Sequence, residues 1–278
     1  HADITDEDQT IHIIDVQTEA ESQNGTHTAP TGSEVTIIDH VSYTNLEVGK
    51  EYKVSGKLMN KETGEPLLDA DGNEITAETT FTPEESNGVV DLEYTLDSSL
   101  LAGKEIVVFE DLYKDEILVA SHADIEDENQ TIKFKNFEIL VNKVDSITGN
   151  NIISKEFEFT MYSDEDLQEE VVTKAGNTED GTALFEVTEG TWYIKETKAP
   201  EGYKLSDEVV KVEIKDNEMF VNDKKVETDD DYLYSIIYQN AMLPSMQNKV
   251  DTSTRTNQAL FLTVLGVSVF AFLVLFLK

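Results

Sequence analysis

The sequence predicts an all-β protein, two β-sandwich modules in tandem followed by one apolar C-terminal helix. Three observations lead there. Apolar residues alternate with polar ones at a period of two between regularly spaced turn signals, as in half-buried strands. An eleven-residue segment occurs twice: His1–Ile11 reads HADITDEDQTI and His122–Ile132 reads HADIEDENQTI, nine of eleven positions matching, 121 residues apart. Finally, Ala259–Leu277 is nineteen residues without a charge.

In the first module Tyr52, Val54, Gly56 and Leu58 alternate with polar residues, as do Leu92, Tyr94 and Leu96, with turns expected at Thr63-Gly64, Asp71-Gly72 and Asn87-Gly88. In the second, Ile139, Val141 and Lys143 alternate before a turn at Ile147-Thr148-Gly149. Strands are then expected around Phe157–Met161, Ala183–Val187, Trp192–Lys195, Val210–Ile214 and Tyr234–Gln239. No segment before the tail keeps a helical period. Many short strands at this spacing favour sandwiches, each of about a hundred residues. The repeat sets the boundaries: residues 1–14 end a truncated copy, 15–134 form a complete first module, 135–242 a second, and 243–278 a tail. The linker near Lys133–Phe137 is short. The chain starts at His1 and the first repeat copy lacks its body, so a piece of a longer precursor is expected.

The tail follows from length and polarity. At about 1.5 Å per residue, nineteen apolar residues just span a hydrocarbon core of about 30 Å. Apolarity on every face argues against a core helix, and Lys278 would lie on the cytoplasmic side.

Composition excludes several functions. The chain has 278 residues, 57 acidic and 21 basic, for a net charge of -36. Such a field repels phosphate backbones, so nucleic acid is not an expected partner. There are no cysteines, which removes disulfides, thiolate metal sites and a cysteine nucleophile. Asp69-Ala-Asp71-Gly-Asn73 has the look of a calcium loop, but Glu74 and Thr80 stand where its Gly and bidentate Glu belong. Asp229–Asp231 reads as a solvated loop. No phosphate-binding glycine loop, zinc cluster or nucleophile elbow is present, and the expected protein has no metal, no cofactor and no turnover of an external substrate.

Leu243-Pro244-Ser245-Met246-Gln247, a polar spacer, the apolar run and a terminal cation resemble a sortase cell-wall sorting signal, usually LPXTG. Met246 and Gln247 replace the Thr and Gly that flank the scissile bond. Either a sortase of altered specificity acts here or the helix stays as a permanent anchor; Leu-Pro could equally just end the last strand. The resemblance implies sortase and peptidoglycan as partners, the membrane as an anchor, and a location outside a Gram-positive cell. A host or surface ligand would be met through domains not in this sequence.

Lys143-Val144-Asp145, Gly190-Thr-Trp-Tyr-Ile-Lys-Glu196, Ala199-Pro200-Glu201-Gly202-Tyr203 and Ile236-Ile-Tyr-Gln-Asn240 arrive in an order that resembles the Cna B-type or SpaA-like pilin domain. That family joins a first-strand Lys to a last-strand Asn with help from a Glu, here Lys143, Asn240 and Glu196. The chemistry suits a dry interior. A buried ammonium loses hydration and becomes a neutral amine, while a neighbouring carboxyl can shuttle its proton and hydrogen-bond the amide. The same pattern also allows Lys143 to point outward and pair with Glu196 at the surface.

The first module, with Asp39-His-Val-Ser-Tyr-Thr-Asn-Leu, Val107-Val-Phe109-Glu110-Asp-Leu-Tyr and His122…Gln130, is similar to the Thr–Gln ester-bond (VaFE) domain from about Val16 to Ile132. That similarity implies a Thr18–Gln130 ester assisted by Asp39, Glu110 and His122. Thr26 and Thr28 remain alternatives to Thr18. A Thr hydroxyl needs a base, and the Gln carbonyl a donor as its oxyanion develops. His122 could instead be a capped surface residue in an acidic turn.

Together the resemblances imply tandem immunoglobulin-like or prealbumin-like sandwiches in a surface stalk or adhesin that welds itself, and not an enzyme beyond that single turnover. Two rivals are an ancillary or basal pilin subunit and the stalk of a secreted enzyme whose catalytic domain lies upstream. A backbone pilin would carry a Tyr-Pro-Lys-like motif, which this sequence lacks.

Overall fold

The computed structural model describes residues 13–244. The first repeat copy, Ser245–Gln247 and the apolar run Ala259–Leu277 lie outside the described residues. Among the described residues no helix is long and apolar enough to cross a membrane.

The first module contains β1 (Asp15–Ser22), β2 (Thr28–Pro30), β3 (Val35–Thr44), β4 (Tyr52–Asn60), β5 (Thr76–Phe81), β6 (Gly88–Leu96), β7 (Glu105–Lys114), β8 (Ile117–His122), a 3₁₀ turn at Glu128–Gln130, and β9 (Thr131–Lys135). One sheet runs β1-β3-β6 and the other β2-β9-β7-β4-β5, with β8 also paired to β7. Alternation makes each strand two-faced. In β3, Val35, Ile37, Asp39, Val41 and Tyr43 point inward; in β7, Val108, Glu110 and Leu112 do. Both sheets bury these faces in one core, with Ile37, Tyr52, Val54, Leu58, Tyr94 and Phe134 all at most 2% exposed. Each such apolar side chain stabilises the fold by about 1.5–3 kcal/mol. Gly64 and Gly72 adopt φ +69° and +85°, the left-handed conformation their expected turns require. The Asp69 carboxylate accepts the backbone N–H groups of Asp71 and Asn73 at 2.9 and 2.8 Å, closing one of those turns on itself.

The second module contains β10 (Phe137–Asp145), β11 (Glu158–Tyr162), β12 (Glu170–Ala175), β13 (Thr182–Val187), β14 (Gly190–Lys198), β15 (Val209–Lys215), β16 (Glu218–Val221), β17 (Lys224–Val226) and β18 (Leu233–Asn240). Its sheets run β13-β10-β18 and β12-β11-β14-β15-β16-β17. Phe159 of β11 packs edge-on against Tyr238 of β18 with ring centroids 4.7 Å apart, and against Phe157 at 5.8 Å. These contacts fill the space between the sheets.

The strands expected from alternation are all present. Of those without an expected counterpart, β1, β3 and β7 do bury a face, whereas two others bury none. β12 (EVVTKA) is exposed at five of six positions, and β5 alternates only between exposed and half-buried. Their pairing comes from backbone hydrogen bonds, which leave no period in the side chains.

Candidate functional site

Each module buries polar residues at positions where the strand period calls for apolar ones. In the second, Lys143 follows Ile139 and Val141 on the inward face of β10, Glu196 follows Ile194 on β14, and Asn240 follows Ile236 and Tyr238 on β18. Lys143 and Glu196 are 0% exposed and Asn240 1%. β10 and β18 are neighbours in one sheet, and Glu196 reaches them from the other. Lys143 Nζ donates to Asn240 Oδ1 and lies 2.6 Å from Glu196 Oε1. Asn240 Nδ2 donates to Glu196 Oε1 and Oε2 at 3.0 and 2.9 Å. The Ser206 backbone N–H donates to Glu196 Oε2 at 2.7 Å, a contact the sequence did not signal.

The Lys143 ammonium has the rings of Phe159 and Tyr238 at 5.1 and 5.9 Å. Burial pushes its pKa below the ordinary lysine value, opposed by the Glu196 carboxylate. The surface ion pair that the pattern also allowed is not what forms. The amine, the carboxyl and the amide meet in a buried interior.

In the first module Thr18 projects inward from β1, Asp39 from β3 and Glu110 from β7, while Gln130 ends the 3₁₀ turn before β9. Their exposures are 8%, 0%, 2% and 0%. Thr18 Oγ1 donates to Glu110 Oε2 at 3.2 Å, and Gln130 Nε2 donates to Asp39 Oδ1 at 3.2 Å. The two carboxyls also face each other. Burial raises both pKa values above the ordinary carboxyl range, and the Asp39 charge pushes Glu110 further. Like charges this close resist ionising together, so the pair favours sharing one proton.

Thr26 is elsewhere: its hydroxyl donates to the Thr28 carbonyl at 2.9 Å and sits 3.1 Å from Ser22 Oγ in the β1–β2 turn. Thr28 is half-buried in β2. His122 lies beside Glu110 in the β7–β8 register, and its Nε2 meets Asp127 Oδ2 at 2.8 Å. It is thus half-buried, held by an acidic turn whose Asp127 also caps the 3₁₀ segment. It lines an open pocket with Thr18, Asp127 and His40. Asp127 carries no separate signal in the sequence.

At the C-terminal edge the Leu243 N–H donates to the Gly202 carbonyl at 2.8 Å. Leu243 and Pro244 are the described part of the sorting-like pentapeptide. Among the described residues no cluster of His, Cys, Asp or Glu could hold a metal ion.

Residues 14–134 match the T-Q ester bond containing domain, and residues 137–229 match SpaA, the prealbumin-like fold domain. No curated protein matches the chain. Among solved structures, a bacterial adhesin from Mobiluncus mulieris containing intramolecular disulfide, isopeptide and ester bond cross-links is 17% identical. It covers 84% of this chain and 100% of its own, at a TM-score of 0.40. The group B streptococcus pilus 2b backbone protein is 17% identical over 82% of this chain and 99% of its own, TM-score 0.37. BcpA, the major pilin subunit of Bacillus cereus, is 16% identical over 82% and 71%, TM-score 0.32. By its two family matches, the chain carries in order a T-Q ester-bond domain and a SpaA prealbumin-like domain.

Proposed function

We propose that this chain is a segment of a Gram-positive surface stalk or adhesin whose two modules cross-link themselves, Thr18 to Gln130 by an ester and Lys143 to Asn240 by an isopeptide bond. The observation that supports this most directly is the Lys143–Glu196–Asn240 cluster, in which a desolvated amine touches a primary amide and both touch one carboxyl. In the second module the Lys143 nitrogen attacks Asn240 Cγ, a C–N bond forms, the bond to Nδ2 breaks and ammonia leaves. Glu196 Oε1, within 3.0 Å of both nitrogens, carries the amine's proton to the leaving group. In the first module Thr18 Oγ1 attacks Gln130 Cδ, forming a C–O bond as the bond to Nε2 breaks. The carboxyl pair takes the hydroxyl proton on the Glu110 side and gives one up on the Asp39 side, where the departing nitrogen sits. Exclusion of water keeps the ester from hydrolysis. His122, tied to Asp127, lines the pocket beside Thr18.

Each bond ties a first strand to the last segment of its module, so tension through the chain bypasses the hydrogen-bonded sheets. In this reading the tail beyond Pro244 anchors the stalk, through a sortase to peptidoglycan or through the apolar run to the membrane.

The test is the intact mass of the folded protein with peptide mapping. The mass is expected to fall short of the sequence by two ammonias, with Thr18–Gln130 and Lys143–Asn240 recovered as linked peptides. A full-length mass refutes both bonds.

A further inference from the structure

Among the described residues, four buried side-chain polar atoms lack a hydrogen-bond partner: Asp39 Oδ2, Glu110 Oε1, Gln130 Oε1 and the Tyr94 hydroxyl. All four belong to the first module, and three belong to the groups already assigned to ester formation. The fourth has no role in that chemistry as described so far. Orphaned buried hydroxyls are rare and costly, so this one calls for an explanation.

Tyr94 sits on the inward face of β6, opposite Ile37 of β3, two residues along from the Asp39–Leu92 pair. Its ring therefore rises from the Asp39 sheet. Its hydroxyl ends at Gly56 of β4, in the facing sheet, where a Cβ built on Gly56 would lie 2.0 Å from it. Gly56 is the residue opposite Glu110 in the β4–β7 register. A glycine inside a strand usually marks a place where something must come close, and here that something is a phenol. Tyr94 is 2% exposed, and burial together with Asp39 and Glu110 drives its pKa upward, so it stays a donor.

The orphan atoms pair off by type. One proton held between Glu110 and Asp39 satisfies a carboxyl oxygen on each. What remains is one donor, the Tyr94 hydroxyl, and one acceptor, the Gln130 carbonyl oxygen. That carbonyl has no partner before reaction and becomes an oxyanion when Thr18 adds to its carbon. Donors are most effective when aimed at where charge will develop and not at the resting carbonyl.

We propose that Tyr94 is a further catalytic residue of the first module, the hydrogen-bond donor to the Gln130 oxyanion during ester formation, and that Gly56 is a glycine to make room for it. The proposal rests on the ester reading above. It separates the two effects of the hydroxyl: a group without a partner in the resting fold contributes to rate and not to stability.

The test uses the full chain with Tyr94→Phe. The Thr18–Gln130 linked peptide should form about 10²–10³-fold more slowly, by analogy with loss of one oxyanion donor. The Lys143–Asn240 peptide in the same molecules should be unaffected. In a Thr18→Ala background, where no ester can form, Tyr94→Phe should unfold at the same temperature or higher. A linked parent with equally fast linking in Tyr94→Phe overturns the proposal alone, as does a clear loss of stability in the Thr18→Ala background. A parent that carries no Thr18–Gln130 link removes the ester reading, and this proposal with it. Should Tyr94→Phe fail to fold, 3-fluorotyrosine at position 94 keeps the hydroxyl and makes it a stronger donor. Linking should then be faster, and an unchanged rate counts against the role.

Discussion

A charged side chain at an inward strand position is expensive unless something compensates it, and this molecule places several there. Lys143, Asp39 and Glu110 each interrupt an apolar stripe. Once joined as an amide, Lys143 has no charge left to desolvate. Before that, it depends wholly on Glu196. Glu196→Ala therefore removes both the proton shuttle and the anion from a buried cation. Breaking such a pair costs about 3–5 kcal/mol, and the second module should lose the Lys143–Asn240 linked peptide and melt at lower temperature. A persisting link, read by peptide mapping, would take Glu196 out of the mechanism. The residue scale is also where the sequence was most legible. Lys143 shares the alternation of Ile139 and Val141, but that period alone left its direction open, and its partners came only from the ordered motifs of a family resemblance. Tyr94 was legible too, but as a core residue. Nothing in Leu92-Tyr94-Leu96 says whether a tyrosine's hydroxyl is idle, because that depends on the facing strand.

At the scale of elements, β1 and the turn after it favour Thr18 over Thr26 for the proposed ester. β1 pairs with β3 so that Thr18 lies opposite Val41 and Ala20 opposite Asp39, placing Thr18 on the core face. Thr26 is used up in closing the β1–β2 turn. Thr18→Ala should accordingly restore one ammonia of mass and Thr26→Ala should restore none. The opposite pattern would move the ester to the turn. The facing strands β3 and β7 carry the pH dependence. Asp39 and Glu110 have folded pKa values above those of the unfolded chain, so the folded state holds a proton that the unfolded chain releases. That contribution is complete below the ordinary carboxyl range and is lost as pH rises toward the elevated values. In a Thr18→Ala chain, which lacks the ester, the first module's melting temperature should fall between mildly acidic and alkaline pH. Adding Glu110→Gln should flatten the slope, and an unchanged slope would mean that Glu110 is ionised in the fold. Two of the strands that escaped the sequence, β5 and β12, sit at sheet edges in the strand order and bury little. Their existence is a tertiary fact that no local pattern encodes.

At the scale of the whole molecule, two sandwiches without a single disulfide depend on other covalent constraints if they are to hold under load. The sequence proposes its modules from a repeated segment and from ordered motifs that bracket each unit. The proposed cross-links were readable only through family resemblance, since they need atoms from strands far apart in sequence to arrive within bonding distance. Lys143 and Asn240 are 97 residues apart, and closing a loop of about 100 residues stabilises a fold by roughly 4.7 kcal/mol in the chain-entropy treatment used for disulfides. The larger consequence is mechanical. A module tied between its first and last strands cannot lengthen when pulled from outside the tie, however completely its sheets come apart. Lys143→Met removes the nucleophile while filling its apolar site, and it frees those 97 residues. At about 3.5 Å each they add roughly 340 Å of chain, less the span of the folded module. Stretching single molecules should therefore show one unfolding step of that size in Lys143→Met and none from the second module of the parent. A parent that yields the same step has an open second module, whatever its mass suggests about the first.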